Sequence, residues 1–387
     1  MISNQKHLFS LPDDVHYLNC ATMSPLLKSV EEVGIQGLLR KSQPYAITQD
    51  HFFDTVEIVK TEFAKLINCP DNQRIAIMGS VSYGLATVTK NLLKRGLATA
   101  GKKVVMVGEE FPSIVYAWDE LKENGVAIEL VTAPDTFQNR GQLWNEKLIN
   151  SIDEQTLLVC ISPTHWSDGT LFDLQAIGEK CRAVNAFFCI DGTQHIGAYP
   201  FDIQEVKADF VVCAAYKWLL GPYGNALAYM SEWFDEGTPL EQNWAMRKDS
   251  NDFKNLINYQ AEYRPKAYRY NLGEMSNFIN LPMIAEALRQ LNEWGVANIQ
   301  DYAKDLANPY LDVLHKAGFW IENPDYKAGH LIGVRLPQGA NLAKIQAELL
   351  AKKVYVSYRG SAIRVAVNVW NDDSDMELLL DVLMRNA

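Results

Sequence analysis

AFFCIDGTQHIGAYPFDIQEVKADFVVCAAYKWLLGPYGNALAYM, residues 186–230, decides how the rest of the chain is read. The apolar run 187–190 stops on a carboxylate, Asp191, and the run 210–215 leads through Tyr216 to Lys217. Gly221-Pro222-Tyr223-Gly224 then punctuates the chain. Continuous apolar runs bounded by turn residues read as strands buried on both faces. Such strands carry functional side chains at their carboxyl ends, so the acid and the lysine are expected over the same edge of one sheet.

That pair suits pyridoxal phosphate (PLP). A lysine amine forms a Schiff base with the cofactor aldehyde, and a carboxylate keeps the pyridinium nitrogen protonated so that the ring accepts electrons. Gln194, just beyond Asp191, is placed to hydrogen-bond the cofactor's phenolic oxygen. DGTQ followed by AAYKWLLGPYG resembles the class V aminotransferase family of PLP enzymes, which includes cysteine desulfurases, isopenicillin-N epimerase and kynureninase. The resemblance runs from Tyr17 to Asn371. It implies an α/β chain of fold type I, with a large domain on a mostly parallel sheet of about seven strands and a smaller C-terminal α/β domain. The expected division is an N-terminal segment near the active site (1–25), a large PLP-binding domain (26–255) and a small domain (256–387).

Composition sets outer bounds. The chain has 387 residues, 48% hydrophobic and 21% charged, as in globular proteins with a sizeable core. A net charge of −11 disfavours nucleic acid or an anionic membrane as partner, while local donors can still hold an anionic cofactor. The start, MISNQKHLFSLPDD, carries no basic-then-apolar leader, and no apolar stretch approaches a membrane span. Six cysteines without a C-x-x-C pair read as reduced core thiols, so a cytoplasmic location is expected. The seven histidines show no metal-ligand spacing.

Along the chain, Ser24-Pro25 reads as a helix start. The strand 74–78 runs into Gly79-Ser80-Val81-Ser82-Tyr83-Gly84 and then a helical pattern, which makes a small-residue anion site rather than a G-x-G-x-x-G turn. The family resemblance puts the cofactor-phosphate loop on Ser80, Val81 and Ser82, with Val81 offering only its backbone N–H. It also makes Phe111, after the strand 102–107, the ring that stacks on the pyridine. Strand 157–162 leads to Thr164, expected at the cofactor's phenolic edge, and to Trp166, expected on the substrate side; a helix follows over 171–184. Tyr216 is expected to donate its hydroxyl to the phosphate, whereas Ala214 stands where relatives often have a phosphate-binding serine.

Residues 235–268 are polar and read as linker and active-site loop. Ser276 and Asn277 are expected, by the same resemblance, to reach the partner's cofactor phosphate across a homodimer interface; Ser276 also reads as the cap of a helix over 281–294. The tail reads as a small α/β unit, with strands at 331–336 and 354–357. In the family an arginine in the last strand clamps the substrate's α-carboxylate, which falls on Arg364, with Arg359 as a second possibility.

The reading is a PLP enzyme acting on an amino acid, foremost an aminotransferase in which Lys217 carries the proton. A β-eliminating C–S or C–Se lyase, or an epimerase, is second. No cysteine follows Cys213, where a desulfurase needs its mobile thiol. A non-catalytic binding or regulatory protein is opposed by the intact set Asp191, Gln194, Lys217 and Arg364.

Overall fold

A computed structural model describes residues 2–360 and 362–387. In chain order its strands are β1 (His16–Tyr17), β2 (Ile75–Met78), β3 (Lys103–Val107), β4 (Ala127–Val131), β5 (Thr156–Ile161), β6 (Phe187–Asp191), β7 (Phe210–Ala214) and β8 (Ala226–Met230). Then come β9 (Leu331–Arg335), β10 (Val354–Tyr355), β11 (Ser357–Arg359) and β12 (Ala362–Ala366). Strands β2 to β8 form a 7-stranded sheet in the order β2-β8-β7-β6-β5-β3-β4. Strands β3 to β7 are parallel, and β8 runs antiparallel to both of its neighbours, β7 and β2.

The apolar runs lack alternation because both faces of this sheet are covered. Along β6 and β7, Phe188, Ile190, Val211 and Cys213 enter one hydrophobic core, while Phe187, Cys189, Phe210 and Val212 enter the other. The period of two is intact, but each face meets helices. Helices Asp54–Leu66, Arg140–Asn150 and Leu174–Val184 contribute to the first core, and Val81–Lys94 to the second. The edge strand β4, by contrast, is mostly exposed or half-buried.

A second, antiparallel sheet β11-β12-β9 is packed with helices Val296–Lys316 and Asp373–Arg385 around a core of its own. Helix Asn280–Trp294 belongs elsewhere: Leu281, Ile284, Leu288 and Leu291 lie in the core of the large unit. We propose a boundary at Gly295 in place of residue 256 for that reason. Among the described residues no helix is long and apolar enough to cross a membrane.

Four local expectations need correction. Ser24 caps nothing: its N–H and hydroxyl both point to the Tyr216 carbonyl (3.1 and 3.3 Å), and the helix begins at Lys28 without a side-chain cap. The helix expected from 171 starts at Leu174, because Leu171 is bridged to Thr164 and Asp173 is the residue whose carboxylate accepts the Ala176 N–H. Residues 354–357 are divided, since β10 pairs with β1 while Ser357 opens β11. Ser276 does not cap the helix after it; Asn277 Oδ1 accepts the N–H groups of Ile279 and Asn280 at 3.0 and 2.9 Å.

The large and small units are fastened at the loop after β5. Gly169 there has φ +76°, and a Cβ on it would run into the Leu331 carbonyl oxygen of β9. Beside it the buried Asp168 carboxylate meets Arg140 at 3.1 Å and Arg335 of β9 at 3.3 Å. Burial pushes this carboxyl up, but bonds to His165 and Thr170 and the Arg140 charge hold it well below the usual carboxylate range. Its stabilisation is therefore present at neutral pH and is lost as the pH falls below about 4 toward the folded-state value. Asp168→Ala leaves Arg140 with only the more distant Glu322 carboxylate at 3.7 Å and is expected to cost about 1–3 kcal/mol, read as a lowered thermal-unfolding midpoint at pH 7.

Candidate active site

Asp191 ends β6 and Lys217 follows β7, so the sheet brings both to one edge. Thr193 joins the two strand ends: its N–H donates to Asp191 Oδ1 at 2.9 Å, and its Oγ1 accepts the Ala214 N–H at 3.1 Å. Asp191 is 5% exposed and Lys217 9%. The Lys217 amine lies 5.7 Å from the Phe111 ring centre and 5.5 Å from that of Tyr216, and has no hydrogen-bond partner among the described residues. The turn carrying it is tight: Leu220 N–H bonds the Lys217 carbonyl at 3.0 Å, and Leu220, buried and not glycine, sits at φ +55°. A bulky residue in the left-handed region is held there only by its surroundings.

Burial acts on both charges. It raises the Asp191 carboxyl to about 6, aided by the nearby Glu110 and opposed by the Thr193 bonds and by Lys217. It lowers the Lys217 amine to about 8, opposed by Asp191 and aided by Arg364. Near pH 8 the amine is thus partly neutral while the carboxylate is ionised, the states a nucleophilic lysine beside an acid requires.

A cavity of about 260 Å³ opens on this pair. At one end stand Ser80, Val81 and Ser82, at the start of helix Val81–Lys94. Ser80 is the cap, its Oγ accepting the Tyr83 N–H at 3.0 Å, so the open donors are the first-turn amides of Val81 and Ser82. Phe111 and Trp166 form a wall, edge to face at 5.4 Å, and Trp166 is fixed by its Nε1–H donating to the Glu109 carbonyl. Gln194 and Tyr216 also face the cavity. The Gln194 carboxamide is oriented at both ends: Oε1 accepts from Trp218 Nε1 at 2.7 Å, and Nε2 donates to the Ala21 carbonyl at 3.0 Å, leaving one N–H.

Thr164 is turned away. It is fully buried with its hydroxyl against His195 Nδ1 at 2.8 Å, and it is Ser162, the first residue after β5, that lines the cavity. Ser162 also exposes a residue that the sequence reading missed. Glu110, 5% exposed, accepts the N–H of Phe111 (2.8 Å), the N–H of Ser162 (3.1 Å) and the Ser162 hydroxyl (3.0 Å), tying the two loops together. The acidic doublet Glu109-Glu110 at a strand end was the available signal. Tyr223, Gly224 and Asn225 complete the wall from the punctuated turn.

Arg364 and Arg359 lie behind Trp166. Arg364 is 1% exposed, with Nε on Ser357 Oγ (2.8 Å), Nη1 on the Trp166 carbonyl (2.8 Å) and Nη2 on Thr22 Oγ1 (2.9 Å). The Arg359 guanidinium lies 5.1 Å from the Trp166 ring centre. Ser276 and Asn277 are away from this cavity; Asn277 is exposed. Among the described residues no cluster of His, Cys, Asp and Glu has metal-binding geometry.

A strand-end acid, an unpartnered buried amine and open helix-start amides around one cavity define a site suited to PLP, and the donor set fits that cofactor. Residues 44–372 match the model of the family described as aminotransferase class-V. An uncharacterized aminotransferase of Bacillus subtilis, YcbU, is 27% identical over 85% of this chain and 83% of its own. Among solved structures, the complex between the cystine C–S lyase C-DES and its product cysteine persulfide has a TM-score of 0.84 at 18% identity, covering 97% of this chain and 98% of that one. An apo cysteine desulfurase from Thermococcus onnurineus NA1 has a TM-score of 0.83 at 18% identity, over 100% of this chain and 98% of that one. The fold is therefore that of fold type I PLP enzymes. The chain belongs to the class V aminotransferase family, and it is a PLP-dependent enzyme.

Because only the neutral amine attacks an aldehyde, the rate of PLP uptake by the cofactor-free protein is expected to rise with pH through an apparent midpoint near 8. Stopped-flow absorbance across pH 6–10 would read this directly; a midpoint near the free-lysine value of about 10.4 contradicts the burial argument.

Proposed function

We propose that this enzyme moves the α-amino group of an amino acid, as an aminotransferase, with Lys217 carrying the proton at the substrate's α carbon. The observation that carries this reading is the Lys217 amine: buried, without an acceptor, and lowered to about 8 beside the Asp191 carboxylate. Bound PLP supplies the electron sink that makes the α proton acidic. A general base and acid works best with an affinity for protons near the operating pH, which is what burial gives Lys217.

The other residues take roles that follow from their positions. Asp191 would hold the pyridinium nitrogen protonated. Val81 and Ser82 amides, with the Tyr216 hydroxyl, would bind the phosphate. Phe111 would cover one ring face, and Trp166 would border the substrate beside it. Gln194, with Ser162 in the place first given to Thr164, would face the phenolic oxygen. Arg364 would take the α-carboxylate, since two of its five N–H groups remain beyond those already bonded. We further propose a homodimer in which Ser276 and Asn277 meet the partner's cofactor phosphate, and a cytoplasmic setting that suits six free thiols. All six cysteines are buried, so the mobile acceptor thiol of a desulfurase has no counterpart among them.

The test is the visible spectrum of the PLP-loaded protein, before and after single amino acids from a broad panel. Conversion to the pyridoxamine form with release of a keto acid is the expected outcome. Release of pyruvate and ammonia together, with the original spectrum restored, would replace amino transfer by β-elimination. In Lys217→Ala the visible band of the lysine-bound cofactor is lost and turnover falls by at least about 10²–10⁴-fold.

A further inference from the structure

Two guanidinium groups stand behind Trp166, just outside the cavity lining, and neither forms an ion pair with an acid among the described residues. In the β11–β12 ladder Ser357 stands directly opposite Arg364, and Arg359 is two residues along from Ser357, so both arginines project from the same face of the sheet. Both close on Trp166: Arg359 lies over its ring at 5.1 Å, and Arg364 donates to its carbonyl at 2.8 Å. Trp166 in turn packs on Phe111, whose ring lies 5.7 Å from the Lys217 amine.

The other buried arginines of the chain are paired, Arg74 with Asp235 and Arg140 with Asp168. Among the described residues Arg364 has only neutral acceptors, two hydroxyls and a carbonyl. Burial, together with the charge of Arg359, brings it down to about 9. Arg359 donates to the Tyr358 carbonyl at 2.7 Å, and its Nε is buried with no partner among the described residues. Holding a buried guanidinium beside a second, half-exposed one is costly, and an anion between them relieves the repulsion. One α-carboxylate satisfies one planar fork; a second fork calls for a second oxyanion.

We propose that the substrate is an amino acid with an anionic side chain, its α-carboxylate on Arg364 and its side-chain oxyanion on Arg359. This rests on the reading of the cavity as an amino-acid site. It makes Arg359 a specificity-determining residue and Trp166 the platform that holds the two forks apart.

Dicarboxylates without an amino group test the arrangement independently of turnover. Calorimetric titration of the PLP-loaded enzyme with succinate and glutarate is expected to give at least about tenfold tighter binding than with butyrate. Arg359→Gln is expected to remove that preference while butyrate binding holds, and Arg359→Lys to restore part of it. Arg359 is half-exposed at the end of a short strand, so these variants leave the cores intact. Equal binding of butyrate and glutarate, absence of binding by either, or a preference that survives Arg359→Gln would overturn the inference. Spectral titration with aspartate, glutamate and phosphoserine against alanine and glutamine then separates carboxylate from phosphate as the side-chain group. Preference for alanine or glutamine there would also overturn it, whereas the Lys217→Ala spectrum judges the PLP reading separately.

Discussion

A largely buried amine with no acceptor for its protons is unfavourable, and this protein keeps one just beyond the end of a central strand. Everything near Lys217 serves to hold it there. Thr193 ties the strand end that bears Asp191 to the one that leads to the lysine. Leu220 keeps the following turn closed in a backbone region that its side chain disfavours. Ser24, from the far N-terminal side of the chain, bonds the carbonyl just before the lysine. Strain of this kind persists only when packing on all sides fixes the alternatives out, and the double-faced sheet supplies that packing.

Charge around the cavity is segregated. Acids lie toward the sheet, with Asp191 at a strand end and Glu110 buried behind the loop that carries Phe111. The cations Arg364 and Arg359 lie on the opposite side, on the small sheet, with the aromatic pair Phe111 and Trp166 between. In a partly enclosed cavity such poles are screened less than charges at the open surface. Lys217 sits within reach of both, which is why its protonation answers to Asp191 in one direction and to Arg364 in the other.

The strands and the residues that close them were legible because they depend on local pattern: apolar runs covered on both faces, then Asp191 or Lys217, then a turn. What was not legible depended on partners remote in sequence. Ser24 looks like a cap until the Tyr216 carbonyl is brought beside it. Thr164 and Ser162 differ by two positions, and only the bridge from Thr164 to Leu171 and its bond to His195 decide which faces the cavity. Glu110 carries no signature beyond being acidic; its three donors come from its own loop and from the end of β5. The helix Asn280–Trp294 has the same amphipathic pattern whether it serves one unit or the other, so its allegiance to the large core could not be read from spacing.

The N-terminal segment closes the molecule in a way that bears on its synthesis. β1 adds to β10, Asn19 bridges Ala366, and the Tyr17 carbonyl accepts from Asn371, a residue 354 positions later. Thr22 and Ala21 in the same segment hold Arg364 and Gln194. A ribosome delivers this segment well before its partners, so the floor of the cavity stays open until residues 354–371 have been added. The large sheet can form as the chain emerges, but the finished site waits for contacts of very long loop closure between this segment and residues 354–371.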